Sequence, residues 1–394
     1  MRRMALLSLM GTLPHVSAPT KAVVLLVALA ASAAACGGNA PTIVASHSPS
    51  PSVQASPSTQ ASASPSAQAS STPQPQPVTG AYALLVGNQA TTSYTVSLIG
   101  IDGKVAATVQ ASTPAQVSCA NAAAALVSLP VSASNSRAYF MDAQGVIRFL
   151  APNGDTGRAT SVPAPTASRR SMFAVSPDDQ RIAVIVDDFT SAGAATRLYV
   201  EDLNGGGNHL DLFSQSGAYT LWPVGWHGTN NLIVAKVASC TQGGGPFCCG
   251  PLELHVIDPA TATRRFTIGN SPSCVIAGSP SPAGAVCEST SNFMQATVLN
   301  WTAGTVRSLA LNGPTFAYLA PSSGMVAMVD NNGTSFTIGA ATISGMFACG
   351  WIDDGHVISG GDAQHQPRVA TVTTGAVVPV AAQGDCGGRL PGGL

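Results

Sequence analysis

The stretch Met172–Gly205 reads MFAVSPDDQRIAVIVDDFTSAGAATRLYVEDLNG. The segment Ser176-Pro177-Asp178-Asp179 is a turn: Pro177 presets its φ, and the two Asp side chains can bond back to nearby backbone. The run Ile182–Val186 that follows is rich in β-branched residues and free of Gly and Pro, so it predicts a strand. Ile182, Val184 and Val186 share one face, while Ala183 and Ile185 share the other. Apolar residues on both faces predict a strand packed between two layers, as in the blades of a β-propeller. A second strand, Leu198–Leu203, leads into a glycine-rich turn.

Six other segments repeat this plan of turn, apolar strand and hairpin. Residues 82–109 hold ALLVG and a hairpin turning at Asp102-Gly103. Residues 137–162 carry Asn153-Gly154 and Asp155, strong turn signals. Residues 221–269 hold Trp226 and LIVAKV, and residues 274–311 hold Pro282 and TVLNWTAGTV. Residues 315–342 hold Pro321 and MVAMVD, and residues 346–381 hold Trp351 and HVISG. Pro or Trp marks the turn before each strand. About 45 residues per unit suits four-stranded blades. The expected fold is all-β, a β-propeller over 80–394 with about seven blades; six or eight blades, or a large β-sandwich, are the alternatives.

FAVSPDDQRIAVIV followed by LYVEDLNGG resembles the TolB-type (WD40-like) β-propeller repeat. That pattern is roughly S-P-D-G-x-x-I-A-F, then L-Y-V-x-D-L-x-x-G, and Asp179 stands where Gly is usual. The resemblance covers one repeat. It implies a ring of blades in the cell envelope that serves as a protein-interaction platform, and it supplies no catalytic residues.

Residues 1–35 carry Arg2, Arg3 and Lys21, no acidic residue, and the apolar run Ala22–Ala35. That run is short for a membrane span and reads as an export signal peptide. The segment Ala33-Ala34-Ala35-Cys36 resembles a bacterial lipoprotein box, with Ala33 where Leu is usual. It implies lipidation of Cys36, with cleavage by an ordinary signal peptidase and free secretion as the alternative. Residues 36–79 form the expected tether. Its low-complexity part, from His47 to Val78, is Ser, Pro, Ala, Gln and Thr, with no charged or aromatic side chain. It cannot bury enough apolar surface to offset its ordering entropy, so disorder is expected. The 43 residues from Cys36 to Val78 would reach ~130 Å as polyproline II and ~35 Å as a flexible coil.

Charged residues make up 9% of the chain. Without residues 1–35, 14 basic residues face 18 acidic ones. No basic cluster is present, so nucleic acid is excluded as an expected partner. The expected membrane contact is the lipid anchor alone, facing the extracytoplasmic side. Apart from Cys36 there are eight cysteines: Cys119, Cys240, Cys248, Cys249, Cys274, Cys287, Cys349 and Cys386. An even set in an exported protein predicts disulfides. Cys274 with Cys287 would join adjacent strands, and Cys349 with Cys386 would tie the C-terminal segment to the last blade. Cys240 would pair with Cys248 or Cys249, leaving one of those for Cys119. A metal site at Cys240, Cys248 and Cys249 is the competing reading, but the spacing fits no zinc pattern.

No nucleophile elbow, Walker loop, HExxH, EF-hand or GxGxxG is present, so neither a catalytic site nor a cofactor is expected. Asp178-Asp179, Asp187-Asp188 and Asp353-Asp354 read as turn residues, and Glu201 as a solvated strand position. His209, His227, His255, His356 and His365 lack ligand spacing, with His227 in a turn beside Trp226. The rings of Trp226 and Trp351 are expected to fill gaps between blades. The short helical candidate is the segment 120–126. The loop 238–251, with Gly243, Gly244, Gly245 and Phe247, is the expected binding surface, because constrained loops on rigid scaffolds carry recognition. The functional expectation is an envelope binding module for a protein or glycan. The alternative is a propeller hydrolase or lyase acting on envelope or environmental polymers.

Overall fold

A computed structural model describes residues 75–394 except 90, 118–129, 192, 240–252, 271–272, 314 and 331–332. The described residues contain strands and turns and no helix. Seven antiparallel four-stranded sheets form seven blades.

Blade 1 contains β1 (Tyr82–Gly87), β2 (Ser93–Gly100) and β3 (Val105–Ser112). Blade 2 is β4 (Val131–Ala133), β5 (Ala138–Met141), β6 (Val146–Leu150) and β7 (Thr156–Ser161). Blade 3 is β8 (Arg169–Val175), β9 (Arg181–Thr190), β10 (Gly193–Asp202) and β11 (Leu210–Gly217). Blade 4 is β12 (Tyr219–His227), β13 (Asn231–Ala238), β14 (Glu253–Asp258) and β15 (Thr263–Ile268). Blade 5 is β16 (Cys274–Ile276), β17 (Ala285–Ser289), β18 (Gln295–Leu299) and β19 (Thr305–Ala310). Blade 6 is β20 (Ala317–Leu319), β21 (Val326–Val329), β22 (Ser335–Ile338) and β23 (Ala341–Ser344). Blade 7 is β24 (Ala348–Asp353), β25 (His356–Ser359), β26 (Arg368–Thr371) and β27 (Val377–Pro379). Strand β28 (Asp385–Leu390) returns to pair with β1 and completes blade 1.

The first strands of successive sheets touch around the ring: β28 against β4, β4 against β8, β8 against β12, β20 against β24, and β24 against β28. These strands line the axis. Each sheet is a meander from axis to rim, so the axial strands run the same way and the ring has two distinct faces.

Ile182–Val186 is buried throughout, as the two-sided apolar pattern requires. Ile182, Val184 and Val186 pack toward blade 2 with Tyr139 and Ile147. Ala183 and Ile185 pack toward blade 4 with Ile233 and Leu254. Similar apolar clusters fill the other interfaces between neighbouring blades. Burial of each such Val, Leu or Ile contributes about 1.5–3 kcal/mol.

Polar ties span the same interfaces. Tyr94 donates to the Met141 carbonyl at 2.6 Å, from blade 1 to blade 2. Trp226 Nε1 donates to the Ala174 carbonyl at 3.0 Å, and Trp351 Nε1 to that of Tyr318 at 2.8 Å. Both indoles therefore do fill gaps between blades. They lie within axial strands β12 and β24, however, not in the turns expected for them, as does His227. A strand end pressed against its neighbour buries the ring and leaves one carbonyl for its N–H.

Two further expectations are corrected. Asp187 and Asp188 lie in β9, not in a turn, and Asp187 is fully buried. Glu201 is buried rather than solvated, because His209 Nδ1 covers it at 2.9 Å.

Candidate binding groove beside blade 5

Blade 5 alternates cleanly between its two sides. Ala296 and Val298 pack toward blade 6 with Ala317 and Leu319. Cys287 and Leu299 pack toward blade 4, in one cluster with Leu232 and Val234. By the two-residue period of a strand, Gln295 and Thr297 share the blade 4 side with Leu299. Across the sheet Thr297 pairs with Cys287 and Ser308, and Leu299 pairs with Thr305. The inner part of this side is apolar and packed, whereas the outer part is polar.

That outer part opens as a groove of about 650 Å³. Ser289, Gln295, Thr297, Thr305 and Ser308 line it, with Cys274 and Cys287 at its inner end. No described lining residue is charged. A disulfide joins Cys274 to Cys287, with Cα atoms 5.6 Å apart, and staples β16 to β17 beside the groove.

The blade 4 side that faces this groove follows from register. Thr220 and Trp222 contact Arg170 of blade 3, so they mark the other side of the blade. Tyr219 and Leu221 alternate with them, and Leu221 pairs with Lys236, which pairs with Glu253. His255 lies two residues on, and Gly269, on the same side of β15, abuts Ile276 and Cys287 of blade 5. Lys236, Glu253 and His255 thus sit on the side turned to blade 5. His255 Nε2 donates to Glu253 Oε1 at 2.8 Å, and Lys236 Nζ donates to the same oxygen at 3.1 Å. Burial pushes the Glu253 carboxyl up, but the hydrogen bonds from His255 and Lys236 outweigh it and hold the group below the usual carboxylate range. Burial also takes His255 below the usual imidazole range, and its bond to Glu253 only partly offsets this. At neutral pH His255 is therefore an uncharged donor, held in one tautomer by Glu253. The Lys236 ammonium also lies 5.0 Å from the centre of the exposed Tyr219 ring.

The other expected functional positions are distributed as follows. Cys36, Cys119, Cys240, Cys248, Cys249, Gly243, Gly244, Gly245 and Phe247 lie outside the described residues, as does the segment 120–126. Cys349 of β24 and Cys386 of β28 form a disulfide with Cα atoms 6.1 Å apart. It links the C-terminal strand to the last blade, as expected. Among the described residues no group of three or more His, Cys, Asp or Glu is placed to hold a metal ion. The histidines pair individually: His356 Nδ1 lies 2.8 Å from Asp353, His365 Nδ1 lies 3.1 Å from Asp362, and His227 Nδ1 lies 2.5 Å from the Leu394 carbonyl.

Sequence reasoning missed the groove. Its signal was the alternation in Gln295–Leu299, where polar Gln295 and Thr297 interrupt a side that should be apolar between two blades.

No protein-family model matches the chain, and no curated protein matches it. Several solved structures are similar in shape. A chain of a mitotic checkpoint complex matches at TM-score 0.38 and 11% identity, over 66% of this chain and 79% of that one. The dihydro-heme d1 dehydrogenase NirN matches at TM-score 0.38 and 11% identity, over 78% and 63%. BamB from Moraxella catarrhalis matches at TM-score 0.31 and 14% identity, over 81% and 84%. At these values none of the three transfers a function to this chain.

Proposed function

We propose that this protein is an exported, lipid-anchored β-propeller of the TolB-type kind. In this reading it acts as a binding module in the cell envelope, taking a protein or a glycan. The observation that carries the reading is a ring of seven blades with an open groove of mixed polar and apolar lining along blade 5. A scaffold whose blades are locked by buried clusters presents such a groove with little ordering cost on binding. Export is supported by the apolar run Ala22–Ala35 and by two disulfides, which persist in oxidising compartments. Anchoring is supported by Ala33-Ala34-Ala35-Cys36 and the tether that follows it.

Two experiments test the proposal. Labelled palmitate should enter the wild-type protein and not the Cys36→Ser variant, which should leave the membrane fraction. Absence of label from the wild type overturns the anchor. The tagged full chain should retain a reproducible protein or glycan from envelope extracts, and a repeatedly empty eluate overturns the binding module. Turnover of polysaccharides or esters by the purified protein would instead favour the hydrolase or lyase reading.

A further inference from the structure

We infer that the groove on the blade 4 side of blade 5 binds an uncharged glycan. The inference rests on the reading of the ring as a binding module and names the ligand class of one site on it.

The argument starts from a comparison within the ring. Blades 1 and 5 carry the same register around an identical irregularity. In blade 1, Ile99 pairs with Val105, Leu98 with Ala107, and Ser97 with Thr108. In blade 5, Leu299 pairs with Thr305, Val298 with Arg307, and Thr297 with Ser308. Ser97 and Thr108 are therefore the counterparts of Thr297 and Ser308. In blade 1 the two hydroxyls bond each other at 2.9 Å, and Thr108 also reaches the Val96 carbonyl. Blade 1 thus satisfies its hydroxyl pair internally.

Blade 5 does not. Among the described residues, the side chains of Gln295, Thr297, Thr305 and Ser308 make no hydrogen bond to protein. All four line the same groove. Gln295, Thr305 and Ser308 are exposed and Thr297 is half-buried, so all four polar ends are open to a ligand. They face one cavity of about 650 Å³, which lies within the range of small-molecule sites.

The chemistry of the lining selects the ligand. Three hydroxyls each donate one hydrogen bond and accept others, and the Gln295 amide does both. Such groups match a ligand that also donates and accepts at closely spaced points, which is the property of sugar hydroxyls. An anionic ligand would require a cation in the lining, and a cationic one a carboxylate. Neither is present among the described lining residues. On the facing side of blade 4, Lys236 and His255 pair on Glu253 and Arg264 lies 3.4 Å from His255 Nε2, and none of these charged groups lines the groove. Beside the groove, Phe293 and Met294 are 44% and 52% exposed and lie directly before Gln295. Within the lining, Leu299, Leu309 and Ala310 supply apolar surface against which the less polar face of a sugar ring can rest.

The test is titration calorimetry of the purified full chain. Neutral hexaoses linked through glucose or mannose are compared with a hyaluronan hexasaccharide and a heparin fragment. At least one neutral hexaose should bind saturably. Thr297→Val with Ser308→Ala keeps the shape of the wall and removes both hydroxyls, and it should weaken that binding at least tenfold with an unchanged melting temperature. If this double variant lacks a cooperative melt, Thr305→Val is read in its place, with a loss of severalfold expected. Binding undiminished in the variant, no saturable binding of any neutral hexaose, or binding of the charged glycans alone would each overturn the inference. The full chain and the double variant are also passed over envelope extract. Equal retention of envelope material by both leaves the binding module standing and removes this groove from it. An empty eluate from both removes the binding module itself.

Discussion

Tyr139 of blade 2 donates its phenolic hydrogen to Oδ1 of Asp179 in blade 3 at 2.6 Å, and Ser136 donates to Oδ2 of the same carboxylate at 2.6 Å. Asp179 has φ +61°, the left-handed conformation that favours glycine. This is the position at which the resembling repeat pattern has Gly. Burial and the neighbouring Asp179 carboxylate push the Tyr139 hydroxyl far above the usual phenol range, so it remains a donor at every working pH. The departure from glycine therefore has a structural use: the backbone strain is offset by two charge-assisted bonds between blades.

The order of two substitutions at Asp179 follows. Asp179→Ala loses the bonds and keeps the left-handed strain, and should lower stability by about 2–4 kcal/mol in urea titration. Asp179→Gly loses the bonds but relieves the strain, and should lower it by about 1 kcal/mol less. Equal stability of Asp179→Gly and wild type would show that the bonds contribute nothing.

The buried pair of Arg170 and Asp187 gives a second expectation. Arg170 Nη2 lies 2.9 Å from Asp187 Oδ2, Thr196 donates to Asp187 Oδ1 at 2.6 Å, and the guanidinium lies 5.0 Å from the ring centres of both Phe189 and Trp222. Removal of one partner strands a buried charge, so Asp187→Ala should cost about 3–5 kcal/mol. Arg170→Met combined with Asp187→Leu should cost clearly less than either single change. A double variant as unstable as the sum of the singles would contradict this account.

Glu288 sets a pH dependence. It is buried between blades 5 and 6, where its Oε1 accepts a bond from the Thr315 amide at 3.3 Å. Burial raises its pKa, and the Thr315 bond offsets this only in part. A raised carboxyl binds its proton more tightly when folded than when unfolded. Its contribution is therefore full below the unfolded value of about 4.3 and is lost as pH rises through the folded value. Urea midpoints of wild type relative to Glu288→Gln should fall between pH 4.5 and 8. A constant difference across that range would count against the assignment.

The two disulfides should differ in their contributions. Cys349 and Cys386 are 37 positions apart in sequence, and Cys274 and Cys287 are 13 apart. Loop entropy gives about 4 and about 3 kcal/mol respectively. Cys349→Ala with Cys386→Ala should therefore lower the melting temperature more than Cys274→Ala with Cys287→Ala. The reverse order would place the stabilisation outside chain entropy.

The seven units and many of their hairpins were legible because the middle strands carry long apolar runs such as Ile182–Val186 and Leu232–Val237. The axial strands were not. VSA, CVI and AYL, at β4, β16 and β20, are three residues long and carry too little periodicity to read. Strand β28, DCGGRL, has the composition of a loop. One of its two glycines answers to crowding: a Cβ on Gly387 would lie 2.9 Å from Val86 and 3.0 Å from Val131 side-chain carbons, whereas Gly388 has a φ of +128° and open space. The groove was illegible for a different reason. Thr297 and Ser308 are ordinary strand residues until the register shows that they share one side, and that this side faces a gap.

Pairing of Tyr82 with Leu390 has a consequence in time. During synthesis β1 emerges first among the described strands, and its axial partner emerges last of them. Until β28 arrives, β1 presents an open edge able to template unwanted pairing. Cys349 and Cys386 meet only once β28 is seated between β1 and the axis. Their oxidation is thus a chemical record of completed closure, and the fraction of chains carrying it counts the rings that have finished assembling.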